Sequence, residues 1–179
     1  NELFMRSDNI LLRCTCLEAL AFIGDEESIR YVNKMYPNYE NISILEQYSF
    51  LKFVARKGSD IHLGLIISLI KDKGQIMHKE IINAIEGILN RNPRKMLSSD
   101  LLNALSYYLQ TDISNINKYE ILILMGHYQN QDIYPILIQY VGNEHILIRM
   151  GAVEGLGLYG NNKALQVLLE MQDKESNQD

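Results

Sequence analysis

The four histidines and two cysteines are the residues of this chain best suited to hold a metal ion. A helical metal site typically places two histidines four residues apart, as in H-E-x-x-H. No pair among the four histidines has that spacing. Cys14 and Cys16 lie two residues apart, so on a helix their side chains point about 200° away from each other. We therefore expect no metal site, no cofactor and no disulfide bond from these residues. The histidines are His62, His78, His127 and His145.

A glycine pattern at residues 155–160, "GLGLYG", fits the G-x-G-x-x-G motif of dinucleotide-binding loops. In that motif the glycines follow a strand and open a helix, whose N-terminus binds the phosphates. Here the pattern closes an apolar, helix-spaced run that begins at residue 147. The sequence also lacks a phosphate-binding P-loop and a G-x-S-x-G nucleophile motif. We therefore expect no nucleotide site and no catalytic residue.

Composition narrows the class of partner. The net charge is −5, and no run of Lys or Arg exceeds two residues, whereas duplex nucleic acids are usually bound by a basic stripe. No apolar run reaches the roughly 18 residues that mark a membrane-spanning helix. Leu and Ile dominate, and there are only 3 Pro, which favours helices over a turn-rich β fold. We expect a protein or peptide partner, no nucleic acid and no membrane insertion within this segment.

The strongest signal is an internal repeat. Residues 4–35 align without a gap on residues 140–171 when the chain is shifted by 136 positions. The shift pairs apolar, charged and turn positions alike, which is the signature of a repeat architecture. The paired residues include Ile10 and Ile146, Arg13 and Arg149, Glu18 and Glu154, Leu20 and Leu156, and Gly24 and Gly160.

Weaker copies of the pattern fill the region between these two segments. Each repeat is predicted to consist of a first helix, a short turn with Gly or Asn, and a second helix. We predict one domain, an all-α solenoid (an α-α superhelix) of about five helical hairpins. The repeats span residues 8–38, 39–74, 75–111, 112–143 and 144–173, with 1–7 as the tail of a preceding repeat and 174–179 as a polar tail.

Helix boundaries follow from the apolar spacing and the cap residues. Asp25 and Asn161 stand where a second helix needs an N-cap, and Glu26 and Glu27 follow at the favourable end of the helix dipole. The predicted first helices span 9–23, 42–57, 76–90, 115–128 and 145–159. The predicted second helices span 26–36, 60–73, 99–110, 132–141 and 162–172.

Three glycines lie inside the last predicted first helix: Gly151, Gly155 and Gly157. Each costs about 1 kcal/mol in helix propensity relative to alanine. In a repeat array a first helix packs against its own second helix and against both neighbouring repeats. We therefore predict that small residues on the first helices let their backbones approach closely, and that the resulting burial offsets the loss.

The segments "LRCTCLEALAFIGDE" (12–26) and "IRMGAVEGLGLYGNN" (148–162) resemble HEAT-like repeats, in particular the short form of the phycobilisome lyases. That form reads aliphatic-Arg, then small residues and Leu-Gly, then a Gly-Asp turn. The proline that the family places in this turn is missing from both segments. In the family, the helix Arg and the turn Asp tie neighbouring repeats together. The resemblance therefore implies an inter-repeat role for Arg13, Arg149 and Asp25.

The predicted function is a non-enzymatic protein-interaction scaffold. Solenoids bind partners on the concave face, which the second helices are expected to line. Tyrosine is favoured at interfaces because it is rigid, apolar and hydrogen-bonding at once. The predicted partner-binding residues are Arg30, Tyr31, Lys34, Leu65, Tyr107, Tyr108, Tyr134 and Gln139.

Two alternatives remain open. One is an enzyme on the same scaffold, such as a bilin lyase-like protein, because the matched pattern is that of the scaffold and a scaffold does not imply its activity. The other is a soluble segment of a larger, membrane-anchored protein. The two cysteines favour a reducing compartment, so we expect a cytoplasmic location. The sequence leaves the oligomeric state and the partner open.

Overall fold

The computed structural model describes four segments of the chain, and within them every regular element is helical. The segments are residues 8–36, 42–91, 97–128 and 130–176, without the side chains of 72–75 and 172–176. The chain forms two compact units, which divide between residues 93 and 94. Each compact unit is built from helical hairpins around its own apolar core.

The first compact unit contains four helices and one 3-10 turn among its described residues. They are α1 (Ile10–Ile23), α2 (Glu26–Met35), α3 (Ile44–Lys57), a 3-10 turn (Asp60–His62) and α4 (Leu63–Arg91). The backbone of α4 is non-helical at Met77 (φ −117°, ψ 23°), which kinks it between a predicted second helix and the next first helix. Leu17, Val32 and Leu51 are fully buried and form part of the core.

The second compact unit contains five helices among its described residues. They are α5 (Ser99–Gln110), α6 (Asn115–Gly126), α7 (Ile133–Val141), α8 (Ile146–Tyr159) and α9 (Asn162–Ser176). The core of this unit includes Ile121, Leu137 and Leu156, all fully buried.

Short polar side chains start most of the helices. Asp25 accepts a hydrogen bond from the Ser28 amide at 2.9 Å, and Asn161 accepts one from Ala164 at 2.8 Å, which confirms both predicted N-caps. Each bond satisfies one of the amide groups that a helix N-terminus leaves without an intrahelical acceptor. Ser43, Ser98 and Ser114 cap α3, α5 and α6 in the same way.

The first helices of neighbouring repeats pack side by side, α1 on α3, α3 on α4, and α6 on α8. Glycines stand where the backbones come closest. A Cβ atom on Gly155 would lie 2.6 Å from the Leu122 carbonyl oxygen, and one on Gly151 would lie 2.9 Å from the Tyr119 Cα. Real Cβ atoms essentially never approach other atoms this closely, so Gly is required at both positions. The predicted role of small residues is confirmed here.

Gly157 is an exception to that prediction. A Cβ atom at this position would have no neighbour within 4 Å, and the residue is exposed. It lies two residues after Gly155 on the same helix and therefore points about 200° away from it. The contact between α6 and α8 gives no reason for a glycine there, so our explanation was wrong for this position.

Arg91, at the end of α4, closes the C-terminus of α3. Its Nε donates to the Gly58 carbonyl at 3.0 Å, and its two terminal nitrogens donate to Ala55 and Val54 at 2.9 Å each. The last carbonyls of a helix have no intrahelical donor, and a cation near them also complements the helix dipole. Arg91 thus joins two consecutive first helices.

The predicted helices are confirmed, with shifts of a few residues at their ends. The largest is in α9, which runs to Ser176 instead of ending at 172. The all-α helical-repeat fold of the solenoid class is confirmed as well. The predicted tail of a preceding repeat, residues 1–7, lies outside the described residues. The grouping of the hairpins into one domain with five repeats stays a prediction.

Candidate functional site

The predicted binding residues of the first compact unit lie on α2 and the first half of α4. Arg30 and Lys34 are exposed and one helical turn apart, and Tyr31 between them is half-buried. Leu65 on α4 is also half-buried. We call these four residues the second-helix surface. On α2 it offers two cations next to a half-buried tyrosine, in a chain whose net charge is −5.

The predicted binding residues of the second compact unit differ in exposure. Tyr107 on α5 is 54% exposed, and Gln139 on α7 is exposed. Tyr134 is half-buried, and its ring lies 6.4 Å from the ring of Tyr159. Tyr108 is only 2% exposed, so its side chain belongs to the core and cannot meet a partner directly. We therefore leave Tyr108 out of any binding surface.

Arg13 links two neighbouring hairpins. Its Nε donates to Glu46 Oε1 at 2.7 Å and its Nη2 donates to Glu46 Oε2 at 3.1 Å. Ser43 Oγ also donates to Glu46 Oε2, at 3.0 Å. These hydrogen bonds, Arg13 first among them, hold the pKa of Glu46 below its ordinary value although its side chain is only 5% exposed. The pair connects α1 to α3 near the start of both helices.

Asp25 and Arg149, the two other predicted inter-repeat residues, make local contacts. Asp25 caps α2 within its own hairpin. Arg149 donates from Nη1 to the carbonyls of Asn143 at 2.8 Å and Glu144 at 2.9 Å. These two carbonyls lie in the turn between α7 and α8, so Arg149 secures the entry into α8.

A groove of about 580 Å³ opens along the first helices of the first compact unit. Phe22 is 66% exposed at its rim, and the Arg56 guanidinium lies 3.6 Å from the centre of the Phe22 ring. This is cation–π geometry. Lys52 pairs with Glu18 at 2.7 Å across the groove. We call it the first-helix groove, lined by Glu18, Ala21, Phe22, Leu51, Lys52, Ala55, Arg56, Lys79, Glu80 and Asn83.

This groove was not predicted from the sequence, because we expected neighbouring helices to cover the first helices. One signal was present in the sequence: Lys52 and Arg56 stand four residues apart on a predicted first helix. Residues four apart lie on the same side of a helix, and charged residues are typical of the side that faces solvent. Phe22, the residue next to that stripe in space, lies 30 positions earlier and could be paired with it only in the fold.

Comparison with known proteins identifies the repeat. Residues 102–179 match the family model of HEAT repeats. This part of the chain, less than half of its length, belongs to a HEAT-like repeat family. No curated protein and no solved structure shows a significant match to the chain. The family match covers α6 to α9 and most of α5, and the 136-residue shift carries the same pattern back to α1 and α2. The phycobilisome-lyase form of the repeat stays a prediction.

HEAT repeats generally act as non-enzymatic scaffolds that bind proteins. Among the described residues of this HEAT-like chain, no helix is both long and apolar enough to cross a membrane. The same residues contain no group of three His, Cys, Asp or Glu side chains that could hold a metal ion. Both cysteines are half-buried free thiols.

His62 is a structural residue between two hairpins of the HEAT-like array. Its Nδ1 accepts from the Ser59 amide at 3.1 Å and its Nε2 lies 3.0 Å from Asn33 Oδ1 on α2. A neutral imidazole protonated on Nε2 satisfies both contacts. The side chain is 5% exposed, and burial, assisted by the charge of Arg91, lowers the pKa of His62 below 6.5.

We expect His62 to make the first compact unit sensitive to acid. As the pH falls below 6.5, His62 is protonated in the unfolded chain, whereas its lowered pKa keeps it neutral in the folded chain to a lower pH. The free energy of unfolding therefore decreases as the pH falls. The loss is at most about 1.4 kcal/mol per pH unit. His62→Gln should remove about 1 kcal/mol of the stability loss between pH 7 and pH 5, measured by urea unfolding followed by circular dichroism. Equal acid sensitivity in the parent chain and in His62→Gln would contradict this role.

Proposed function

We propose that this protein is a non-enzymatic interaction scaffold that binds a peptide or protein along the second-helix surface. The observation that carries the proposal is the exposed pair Arg30 and Lys34, one turn apart on α2 beside Tyr31. A partner would place a carboxylate between the two cations and an apolar side chain on the tyrosine. Aromatic and arginine residues supply much of the binding energy at protein interfaces.

The second compact unit supports the same function with its own residues. Tyr107 and Gln139 are exposed, and Tyr134 presents one part of its ring. These residues would give the second compact unit a partner contact of its own, because they lie on second helices like Arg30 and Lys34.

The first-helix groove is the competing surface on the first compact unit. It also offers cations beside an exposed aromatic ring, at Arg56 and Phe22. Its Lys52 and Arg56 are already engaged by Glu18 and Phe22, so a partner would have to displace these contacts. That cost favours the second-helix surface.

A selection of displayed random peptides on the immobilised chain tests the proposal. We expect the enriched peptides to be acidic, and to bind Arg30→Gln/Lys34→Gln at least about 10-fold more weakly, or 1.4 kcal/mol. The matched control is Lys52→Gln/Arg56→Gln in the first-helix groove, which should bind as the parent chain does. Circular dichroism would verify that both variants keep their helicity.

Two results would overturn the assignment. Loss of binding only in the Lys52→Gln/Arg56→Gln variant would move the site to the first-helix groove. Failure to enrich any peptide would remove the support for peptide binding. The enzyme alternative predicts a bound metal or a bilin, and elemental analysis together with absorbance titration against a free bilin would detect either one.

A further inference from the structure

The first-helix groove carries positive charge in an acidic chain. Three cations and two carboxylates line it, so the net charge of the groove is +1, whereas the net charge of the chain is −5. Lys52 and Glu18 pair with each other at 2.7 Å and neutralise each other. The charges that remain for a ligand are those of Arg56, Lys79 and Glu80. This balance complements a single negative charge.

The size and the walls of the groove suit a small organic molecule. Its volume of about 580 Å³ lies within the roughly 300–1,000 Å³ that is typical of ligand sites. Ala21 and Leu51 are 3% and 0% exposed, so they lie at the floor of the groove. The Phe22 ring is 66% exposed at the rim and offers apolar area to a ligand. An aromatic ring packs well against such a side chain.

Arg56 is held by Phe22 and keeps its hydrogen-bond donors. Its Cζ atom lies 3.6 Å from the centre of the Phe22 ring. A contact of this kind uses the face of the planar guanidinium, whereas the N–H groups lie in its plane. No group in the described part of the chain accepts a hydrogen bond from Arg56. A small anion can therefore accept two N–H bonds from Arg56 while Phe22 stays in place. It differs in this respect from a peptide, which would have to lie across these contacts.

The second half of α4 sets how much negative charge the groove accepts. Lys79 is exposed and adds a positive charge on this side. The adjacent Glu80 lines the same groove, so a ligand with two negative charges would meet a like charge there. A monoanion can bind at Arg56 and leave Glu80 beside Lys79. The groove therefore favours one negative charge over two.

We propose that the first-helix groove binds a small aromatic monoanion, that is, a carboxylate or sulfonate attached to an aromatic ring. The anion accepts hydrogen bonds from Arg56, and the ring packs against Phe22 over the apolar floor. This site lies on the first helices and takes a small molecule, whereas the second-helix surface takes a peptide. Either proposal can therefore fail without the other.

The dye 8-anilinonaphthalene-1-sulfonate is the probe, because it is an aromatic monoanion whose fluorescence rises in apolar surroundings. Titration of the chain should give a saturable rise. Arg56→Gln and Phe22→Ala should each weaken binding at least about 5-fold, because one removes the charged donor and the other the ring. Ile61→Ala is the matched control, since Ile61 is 73% exposed on the same compact unit but lies outside the groove. It should leave the affinity unchanged.

A neutral dye separates the anion contact from apolar adsorption. N-phenyl-1-naphthylamine has the same rings as the probe and lacks the sulfonate. Phe22→Ala should weaken its binding, whereas Arg56→Gln should not. Circular dichroism would verify that every variant keeps its helicity.

Competition between two naphthalene sulfonates tests the charge balance. Naphthalene-2-sulfonate should displace the probe at a lower concentration than naphthalene-2,6-disulfonate does. Glu80→Gln should narrow that difference, because it removes the like charge that a dianion meets. Glu86→Gln is the matched control, since Glu86 is exposed on the same helix and lies outside the groove. It should leave the difference as it is in the parent chain.

Three results would overturn the proposal. The first is a probe affinity that Arg56→Gln leaves unchanged, and the second is an equal loss for the charged and the neutral dye in that variant. The third is displacement of the probe by acidic peptides whose binding requires Lys52 and Arg56, because the groove would then be a peptide site.

Discussion

Gly155→Ala is expected to destabilise the second compact unit by at least about 2 kcal/mol, although alanine is the better helix former. The added Cβ would lie 2.6 Å from the Leu122 carbonyl oxygen and 2.9 Å from Leu137 Cδ2. A carbonyl of the α6 backbone cannot move aside as a flexible side chain can. The two helices must therefore separate, and their apolar contact is lost along its length.

Gly157→Ala provides a matched control on the same helix. Because nothing lies within 4 Å of a Cβ there, the substitution should stabilise α8 by up to about 1 kcal/mol. Urea unfolding of the two single variants and the parent chain would measure both effects. Equal changes of the same sign at the two glycines would show that helix propensity alone decides them and that the close approach of α6 and α8 is unimportant.

Arg13→Met is the second substitution with a large expected effect. It leaves the Glu46 side chain, which is 5% exposed, without its main partner. Removing one member of a buried ion pair typically costs about 3–5 kcal/mol, and because the Arg13 side chain is 20% exposed we expect the lower end. Arg13→Met combined with Glu46→Leu should recover most of the loss, because an apolar pair of similar size needs no counter-charge.

The pH dependence of the same variants checks the electrostatic cause. The pKa of Glu46 is lowered in the folded chain, so its contribution to stability is complete above pH 4.5 and is lost as the pH falls toward the folded value. The gap in unfolding free energy between the parent chain and Arg13→Met should therefore be large at pH 7 and shrink toward pH 3. A gap that is constant with pH, or a double variant no more stable than Arg13→Met, would point to lost packing instead.

Both predictions concern contacts between first helices, and together they describe how this HEAT-like chain holds its hairpins side by side. Gly155 removes the side chain that would separate α6 from α8. Arg13 and Arg91 each reach from one first helix to the next, at opposite ends of α3. The close approach of neighbouring helix backbones allows their apolar side chains to be buried. The two arginines determine which turns of these helices lie next to each other.

Local patterns in the sequence were enough to predict the helices, two of their N-caps and the repeat. These signals depend on residues a few positions apart in the chain: the apolar spacing, the N-cap at Asp25 and the turn glycine at position 24. The 136-residue shift requires only that two segments of the sequence be compared with each other. Helical periodicity is therefore readable without coordinates. The class of fold and the general role of HEAT repeats followed from the same pattern.

The sequence does not show which face of each helix is covered, and this became clear from the folded chain. Gly155 and Gly157 are the same residue in the same helix, yet one touches a neighbouring backbone and the other faces open space. Likewise the sequence does not show that Glu46 is the partner of Arg13, 33 positions away, or that Tyr108 is buried while Tyr107 is exposed. A helix in an array has several apolar faces, and sequence spacing locates these faces without showing which neighbour, if any, packs on each.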